Sequence, residues 1–276
     1  MPRLPVLANV TVVMACFAAN SLITRYLVST GRLDPAAVTI ARFAAGAAML
    51  AVILALQGRA REALPRWADG PDIFFLGGYA LAIAYGYRHI TAAAGTFVFY
   101  ALVILTMAVG GGRPTSRAVA GAITALAGVG LLAFGKVKGT TPLGVGLLAF
   151  TGATWGAYSL ALRKRGTPLV ANARAFVGLV LFLPVLAWVE RGALVWSAPG
   201  LALGLGMGAI TTALSYALWA KVLPALTPIE AGTFQLSVPV LTATAGILLL
   251  GEPLTSQLAI ADALVLAGMW LTSWRR

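Results

Sequence analysis

Stretches of about twenty apolar residues follow one another almost from end to end of this chain, and they leave no room for a soluble domain. A helix needs roughly 20 such residues, at 1.5 Å rise each, to cross a ~30 Å hydrocarbon layer. Sixty per cent of the 276 residues are hydrophobic and only 10% are charged, against the roughly 25% charged of a soluble domain. One water-facing fold could not enclose that much apolar surface, so the solvent is lipid. The pattern predicts ten transmembrane helices, over 6–28, 35–57, 72–88, 91–110, 117–135, 142–163, 168–189, 199–221, 229–250 and 254–274. The breaks hold Arg, Lys, Gly or Pro, and the longest, 58–71 and 190–198, are too short to be domains. The expected fold is all-α and polytopic, with successive helices antiparallel.

The net charge of +12 is topological. With the N-terminus in the cytoplasm, twelve of the 20 Lys and Arg fall on cytoplasmic segments, among them Arg59, Arg61, Arg66, Arg163, Lys164 and Arg165. Six fall on the opposite side, and Arg42 and Arg174 lie inside spans. Positive charge collects on the cytoplasmic face, so both termini are expected there. The cations are scattered between helices and form no continuous patch. They suit contact with membrane lipids, and no nucleic-acid partner is expected. Cys16 is the single cysteine, and without a CxxC or His/Cys cluster no metal is expected. No GxxxxGK[ST] loop is present for ATP, and no cofactor is expected. An intramembrane enzyme would need a nucleophile and base, yet the one histidine, His89, falls between spans.

Internal repetition carries more. Cys16–Arg25 (CFAANSLITR) matches Thr154–Arg163 (TWGAYSLALR), with Ser21, Leu22 and Arg25 recurring as Ser159, Leu160 and Arg163. Ala94-Gly95-Thr96-Phe97 recurs as Ala231-Gly232-Thr233-Phe234, and Tyr79 as Tyr216. Thr115-Ser116 and Ala127-Gly128 recur as Thr255-Ser256 and Ala267-Gly268. The order is collinear, so two five-helix repeats are expected, at 1–138 and 139–276. An odd helix number inverts the second repeat across the membrane, and a site between inverted repeats can face either side by exchanging their conformations. The run Val13-Met14-Ala15-Cys16 behind Arg3 faintly resembles a cleaved signal. The match of residues 16–25 to 154–163 argues that the first helix is retained. A channel would need rings of like residues in an oligomer, whereas this duplication completes a site in one chain.

The chain resembles the ten-helix, EamA-like branch of the drug/metabolite transporter superfamily along essentially its whole length. The most specific part is PVLTATAGILLLGEPLTS at 239–256, with Pro239 in the ninth helix and Gly251-Glu252-Pro253-Leu254-Thr255 before the tenth. The first half departs from it, with Leu102 where the repeat predicts proline and Arg113 in place of the glutamate. Within the family it is most similar to exporters of aromatic amino acids. The resemblance implies a central cavity among helices 1–4 and 6–9, with helices 5 and 10 peripheral.

Helical spacing singles out polar-aromatic faces independently. Phe17 and Asn20 share a face of the first helix, Trp155 and Tyr158 one of the sixth. Tyr79 lies on the third; Thr96, Phe99 and Tyr100 on the fourth; Ser215, Tyr216 and Trp219 on the eighth; Thr233, Gln235 and Ser237 on the ninth. Polar groups facing lipid would go unsatisfied, so these faces turn inward. Rings supply stacking area and hydroxyls orient a ligand, which suits a small ring-bearing amphiphile as substrate. The small hydroxyl residues fit helix–helix packing equally well. Arg42 and Arg174 either meet a substrate carboxylate or snorkel to headgroups. Asp262, the carboxylate deepest in a span, lies on the tenth helix, outside the implied path. Downhill facilitation or exchange is the expected mechanism, and proton-coupled efflux of hydrophobic cations the alternative.

Overall fold

The computed structural model describes residues 4–110, 115–134, 138–163, 165–222, 234–235 and 237–273. Ten helices follow in order among them. They are α1 (Leu4–Ser29), α2 (Pro35–Leu56), α3 (Gly70–Gly86), α4 (Ala92–Gly110), α5 (Ser116–Phe134) and α6 (Pro142–Arg163). α7 is built from Pro168–Val180 and Leu183–Val189, and α8 from Ala198–Gly206, a π-helical stretch Met207–Leu214 and Ser215–Val222. α9 (Ser237–Leu250) and α10 (Ser256–Ser273) complete the chain. Five of these are long and apolar enough to cross a membrane by themselves: Pro5–Ser29, Pro35–Leu56, Pro142–Leu162, Pro168–Val189 and Ala198–Trp219. Thr233 lies outside the described residues.

Helix boundaries have local causes. Asp34 caps α2 by accepting the N–H groups of Ala36 and Ala37 at 2.8 and 3.1 Å, with Pro35 in the first turn where its missing N–H costs nothing. Its other oxygen accepts the N–H of Val195. Together with an antiparallel bridge between Leu33 and Trp196, this ties the α1–α2 turn to the α7–α8 loop. Ser197 caps α8 through the N–H of Gly200 at 3.1 Å. Between α2 and α3 the chain makes two short 3₁₀ turns, Ala60–Ala63 and Trp67–Asp69.

Two irregularities were invisible in the hydropathy. α7 breaks after Val180 because Pro184 cannot donate to that carbonyl and its ring would collide with it. Leu181 and Phe182 bond three residues back instead, to Gly178 and Leu179. The π-helical stretch in α8 widens one turn, a distortion that often marks a functional site.

In the packing, α6 lies against α3 and α4, and α1 against α8 and α9. α2 lies against α7 and the π-helical part of α8, and α4 also meets α9. α5 packs along α10. The aromatic side chains predicted to face inward therefore converge where α1, α2, α3, α6 and α8 meet.

Candidate functional site

Trp155 of α6 is the hub of that convergence. Its ring centroid lies 4.8 Å from Tyr79, 5.1 Å from Tyr216, 5.6 Å from Tyr158 and 6.4 Å from Phe17. Phe17 reaches on to Tyr216 at 5.8 Å and Trp219 at 6.3 Å. Tyr79 reaches Phe99 at 6.1 Å, and Phe99 meets Tyr100 at 4.6 Å. Two rings that the sequence did not single out join the cluster. Phe43 lies 6.5 Å from Tyr79, and Phe176 lies 5.1 Å from Phe43 and 5.7 Å from Tyr216. A phenylalanine reads the same whether it faces lipid or protein, so no sequence signal separated these two.

A polar chain runs along one side of the rings. Asn20 donates to the carbonyl of Thr211 at 2.9 Å, and its own oxygen accepts from the hydroxyls of Thr211 and Thr212 at 2.6 and 3.0 Å. In an α-helix consecutive residues point about 100° apart; the wider π turn lets both threonines reach one acceptor. Thr212 in turn accepts from Nε of Arg42 at 3.0 Å, and Nη2 of Arg42 donates to the Tyr79 hydroxyl at 2.7 Å. The close crossing of α2 and α8 that permits this depends on Gly208, where a Cβ would collide with the carbonyl oxygen of Arg42.

Arg42 is 1% exposed. Its guanidinium carbon stands 5.2 Å from the Phe43 ring centroid and 5.3 Å from that of Tyr79, in cation–π range. No carboxylate among the described residues pairs with it. A charge inside the membrane costs at least ~2.5 kcal/mol even on the mildest scale, and among the described residues neutral hydroxyls and ring faces offset it. Arg174, the other arginine that the sequence places inside a span, has a different setting. Its Nε donates to the carbonyl of Glu62 in the α2–α3 connection at 2.9 Å.

The hydroxyls divide as well. Ser215 donates to the carbonyls of Thr211 and Thr212 in its own helix, at 2.6 and 2.9 Å. Thr96 bonds Ala92 of its own helix and pairs with the hydroxyl of Tyr87 at 2.9 Å. Ser237 is exposed and donates to the carbonyl of Phe234, while Gln235 is buried. Tyr158 combines ring contact with a 2.7 Å hydrogen bond to Asn172.

At one end of the bundle, Glu252 clasps three segments together. Gly251 adopts φ +63°, open to glycine at little cost, and turns Glu252 back against the start of α4. The Glu252 carboxylate accepts from the N–H groups of Ala92 and Ala93 at 2.7 and 3.3 Å and from Nε of Arg25 at 3.3 Å. Arg25 also donates to the carbonyl of Tyr87 at 2.7 Å. The clasp thus joins α1, the α3–α4 turn and the α9–α10 turn, and it gives the Gly-Glu-Pro segment a structural role.

Known proteins agree with this architecture. Residues 142–274 match the EamA-like transporter family. An uncharacterized protein of Pseudomonas aeruginosa is 35% identical over 98% of this chain and 95% of its own length. The threonine/homoserine exporter RhtA of Escherichia coli is 31% identical over 47% of this chain and 45% of its own. A crystal structure with 20% sequence identity superposes with a TM-score of 0.67, covering 96% of this chain and 95% of that one, and shares the fold. The chain belongs to the EamA-like transporter family, and is a polytopic membrane transporter with a small-molecule substrate.

Proposed function

We propose that the protein exports a small amphiphilic metabolite bearing a carboxylate, foremost an aromatic or other hydrophobic amino acid, through the aromatic cluster by alternating access. One observation carries this: Arg42 is a buried cation among rings, and its partners among the described residues are neutral hydroxyls. A substrate carboxylate would take the donors that Tyr79 and Thr212 occupy in the closed form. The substrate's side chain would then stack among Trp155, Tyr79 and Tyr216, with Phe17, Phe99, Tyr100, Tyr158 and Trp219 around them. RhtA supports the substrate class, since threonine and homoserine are amino acids, though its match spans about half of either chain.

Alternating access rests on two inverted repeats, 1–138 and 139–276. The packing supports them. Advancing each helix number by five turns the α1–α8 contact into α6–α3, α1–α9 into α6–α4 and α2–α8 into α7–α3, all of which occur, and it maps α5–α10 onto itself. Asp262 sits on α10, which packs mainly along α5 and to a lesser extent on α4; among the described residues no acid joins the ring cluster or the Arg42 chain, so transport runs downhill or by exchange. The buried guanidinium repels a cationic drug and counts against proton-coupled efflux of hydrophobic cations. The setting is a bacterial inner membrane with both termini cytoplasmic.

The test is flux in proteoliposomes. Radiolabelled aromatic amino acids are compared with the amines that lack the carboxylate, in wild type, Arg42→Lys and Arg42→Gln. Hydrogen bonds to a charged partner contribute about 1.5–3 kcal/mol, so Arg42→Gln should weaken apparent amino acid affinity by about 10- to 100-fold. The amines should move poorly in every form. Equal transport of acid and amine by wild type would remove Arg42 from substrate recognition.

A further inference from the structure

The break in α7 has a consequence on the outer surface of the bundle. Leu181 and Phe182, thrown out of the helix by Pro184, are 67% and 58% exposed. Across from them on α3, Phe74 and Leu81 are also exposed. Between these walls runs a crevice of about 800 Å³, floored by Gly77, Gly78 and Gly178. Along α3 it extends from Gly70 to Leu81, about 17 Å at 1.5 Å per residue, or roughly half of a ~30 Å hydrocarbon core. That is one leaflet's depth. The walls offer no hydrogen-bonding side chain along this length.

Polar chemistry appears only at the mouth. Trp67, in the 3₁₀ turn before α3, projects wholly from the protein at 103% exposure, as interfacial tryptophans do. Arg66 beside it is exposed and takes part in no ion pair among the described residues. The nearby acids are already engaged: Arg59 grips Glu62 at 2.8 and 2.9 Å and holds its carboxyl below the usual range, Arg165 pairs with Asp72 at 2.9 Å, and Asp69 accepts the backbone N–H of Arg66 at 2.8 Å, leaving the guanidinium itself directed elsewhere. The mouth therefore presents a spare cation, on the face where the Lys and Arg count places the cytoplasm and its anionic lipids.

We propose that this crevice binds an anionic phospholipid, one acyl chain lying between α3 and α7 and the phosphate on Arg66, with Trp67 against the glycerol region. A transmembrane helix of a partner fits poorly: it would cross the full ~30 Å core whereas the crevice runs about 17 Å, and the bulky walls Phe74, Leu181 and Phe182 hold a second backbone off the glycine floor. The lipid would also touch the transport site at one remove. Gly77 and Gly78 precede Tyr79, whose hydroxyl holds Arg42.

Native mass spectrometry of the delipidated protein, titrated with phosphatidylglycerol or phosphatidylcholine of matched chains, tests this. Wild type should retain phosphatidylglycerol preferentially. Arg66→Gln should weaken that adduct about five-fold, the worth of one cation at a membrane surface, and Arg66→Lys should keep it. Leu181→Trp, which fills the crevice, should lose both lipids. As an independent readout, brominated phosphatidylglycerol should quench fluorescence in wild type more than in Trp67→Phe. This second measurement and the Arg66 pair stand even if Leu181→Trp unfolds. Equal retention of the two lipids by wild type, an adduct indifferent to Arg66→Gln, or quenching unchanged in Trp67→Phe would each overturn the proposal. So would a protein dimer that replaces the lipid adduct and disappears in Leu181→Trp, since the crevice would then hold a second copy.

Discussion

Replacing Glu252 by glutamine keeps the shape of the side chain and removes its charge. In this structure that carboxylate accepts three hydrogen bonds, two from the first turn of α4 and one from Arg25. A bond to a charged acceptor contributes about 1.5–3 kcal/mol and a neutral one about 0.5–1.5, so each of the three weakens by roughly 1 kcal/mol. One amide N–H₂ must also face the N–H of Ala92 or Ala93, and the favourable placement of an anion at a helix N-terminus is lost. A total near ~3 kcal/mol moves the equilibrium between clasped and unclasped forms by about 100-fold. An unclasped form present at about 1% in wild type would then rise to about half of the molecules.

Spin labels at Thr30 and Leu254, both exposed beside the clasp, can be introduced as cysteines once Cys16, the single native cysteine, is replaced. Electron–electron distance measurements should show one short population in wild type and an added longer one in Glu252→Gln. Arg25→Ala should produce the same change, and the double variant little more, because both remove one clasp. Unchanged distances in a Glu252→Gln protein that merely melts earlier would show that Glu252 only caps α4. Fully additive single variants would separate Arg25 from it.

Other outcomes follow from the same contacts. Trp155→Ala should cost several-fold to tenfold in apparent substrate affinity, about 0.5–1.5 kcal/mol for a lost ring contact, with expression unaffected; normal transport combined with early melting would make Trp155 a packing residue. Thr212→Val leaves Nε of Arg42 without its acceptor and should lower stability by about 1–3 kcal/mol, measured by thermal unfolding in detergent. Asp262→Asn should transport at near wild-type rates with and without an imposed pH gradient; concentrative uptake in wild type that disappears in the variant would place a coupling proton on α10. Reporters active only outside the cytoplasm should be silent at residues 2 and 276 and active near residue 138.

The ten spans were legible because lipid imposes a length and a composition on every crossing helix, so α2, α6 and α7 begin where Pro35, Pro142 and Pro168 stand in the sequence. The aromatic residues were legible for a related reason: a Tyr or Trp in mid-membrane needs a partner for its polar atom, so Tyr79, Trp155, Tyr158 and Tyr216 could be assigned to the interior. Polar residues were harder to sort. Ser215 satisfies itself on its own helix, while Asn20 and Thr212 bind across the bundle, and nothing in their spacing distinguishes the two cases. The same limit applied to Arg42 and Arg174, each within two turns of a span end and equally able to snorkel. Only the crossing of α2 and α8 at Gly208 and the widened turn of α8 decided that Arg42 lies among the rings, whereas the α2–α3 connection holds Arg174. Sequence determines which side chains must avoid lipid. Which of them meet depends on rotation and crossing of helices already satisfied along their own backbones, and that is settled by tertiary contact alone.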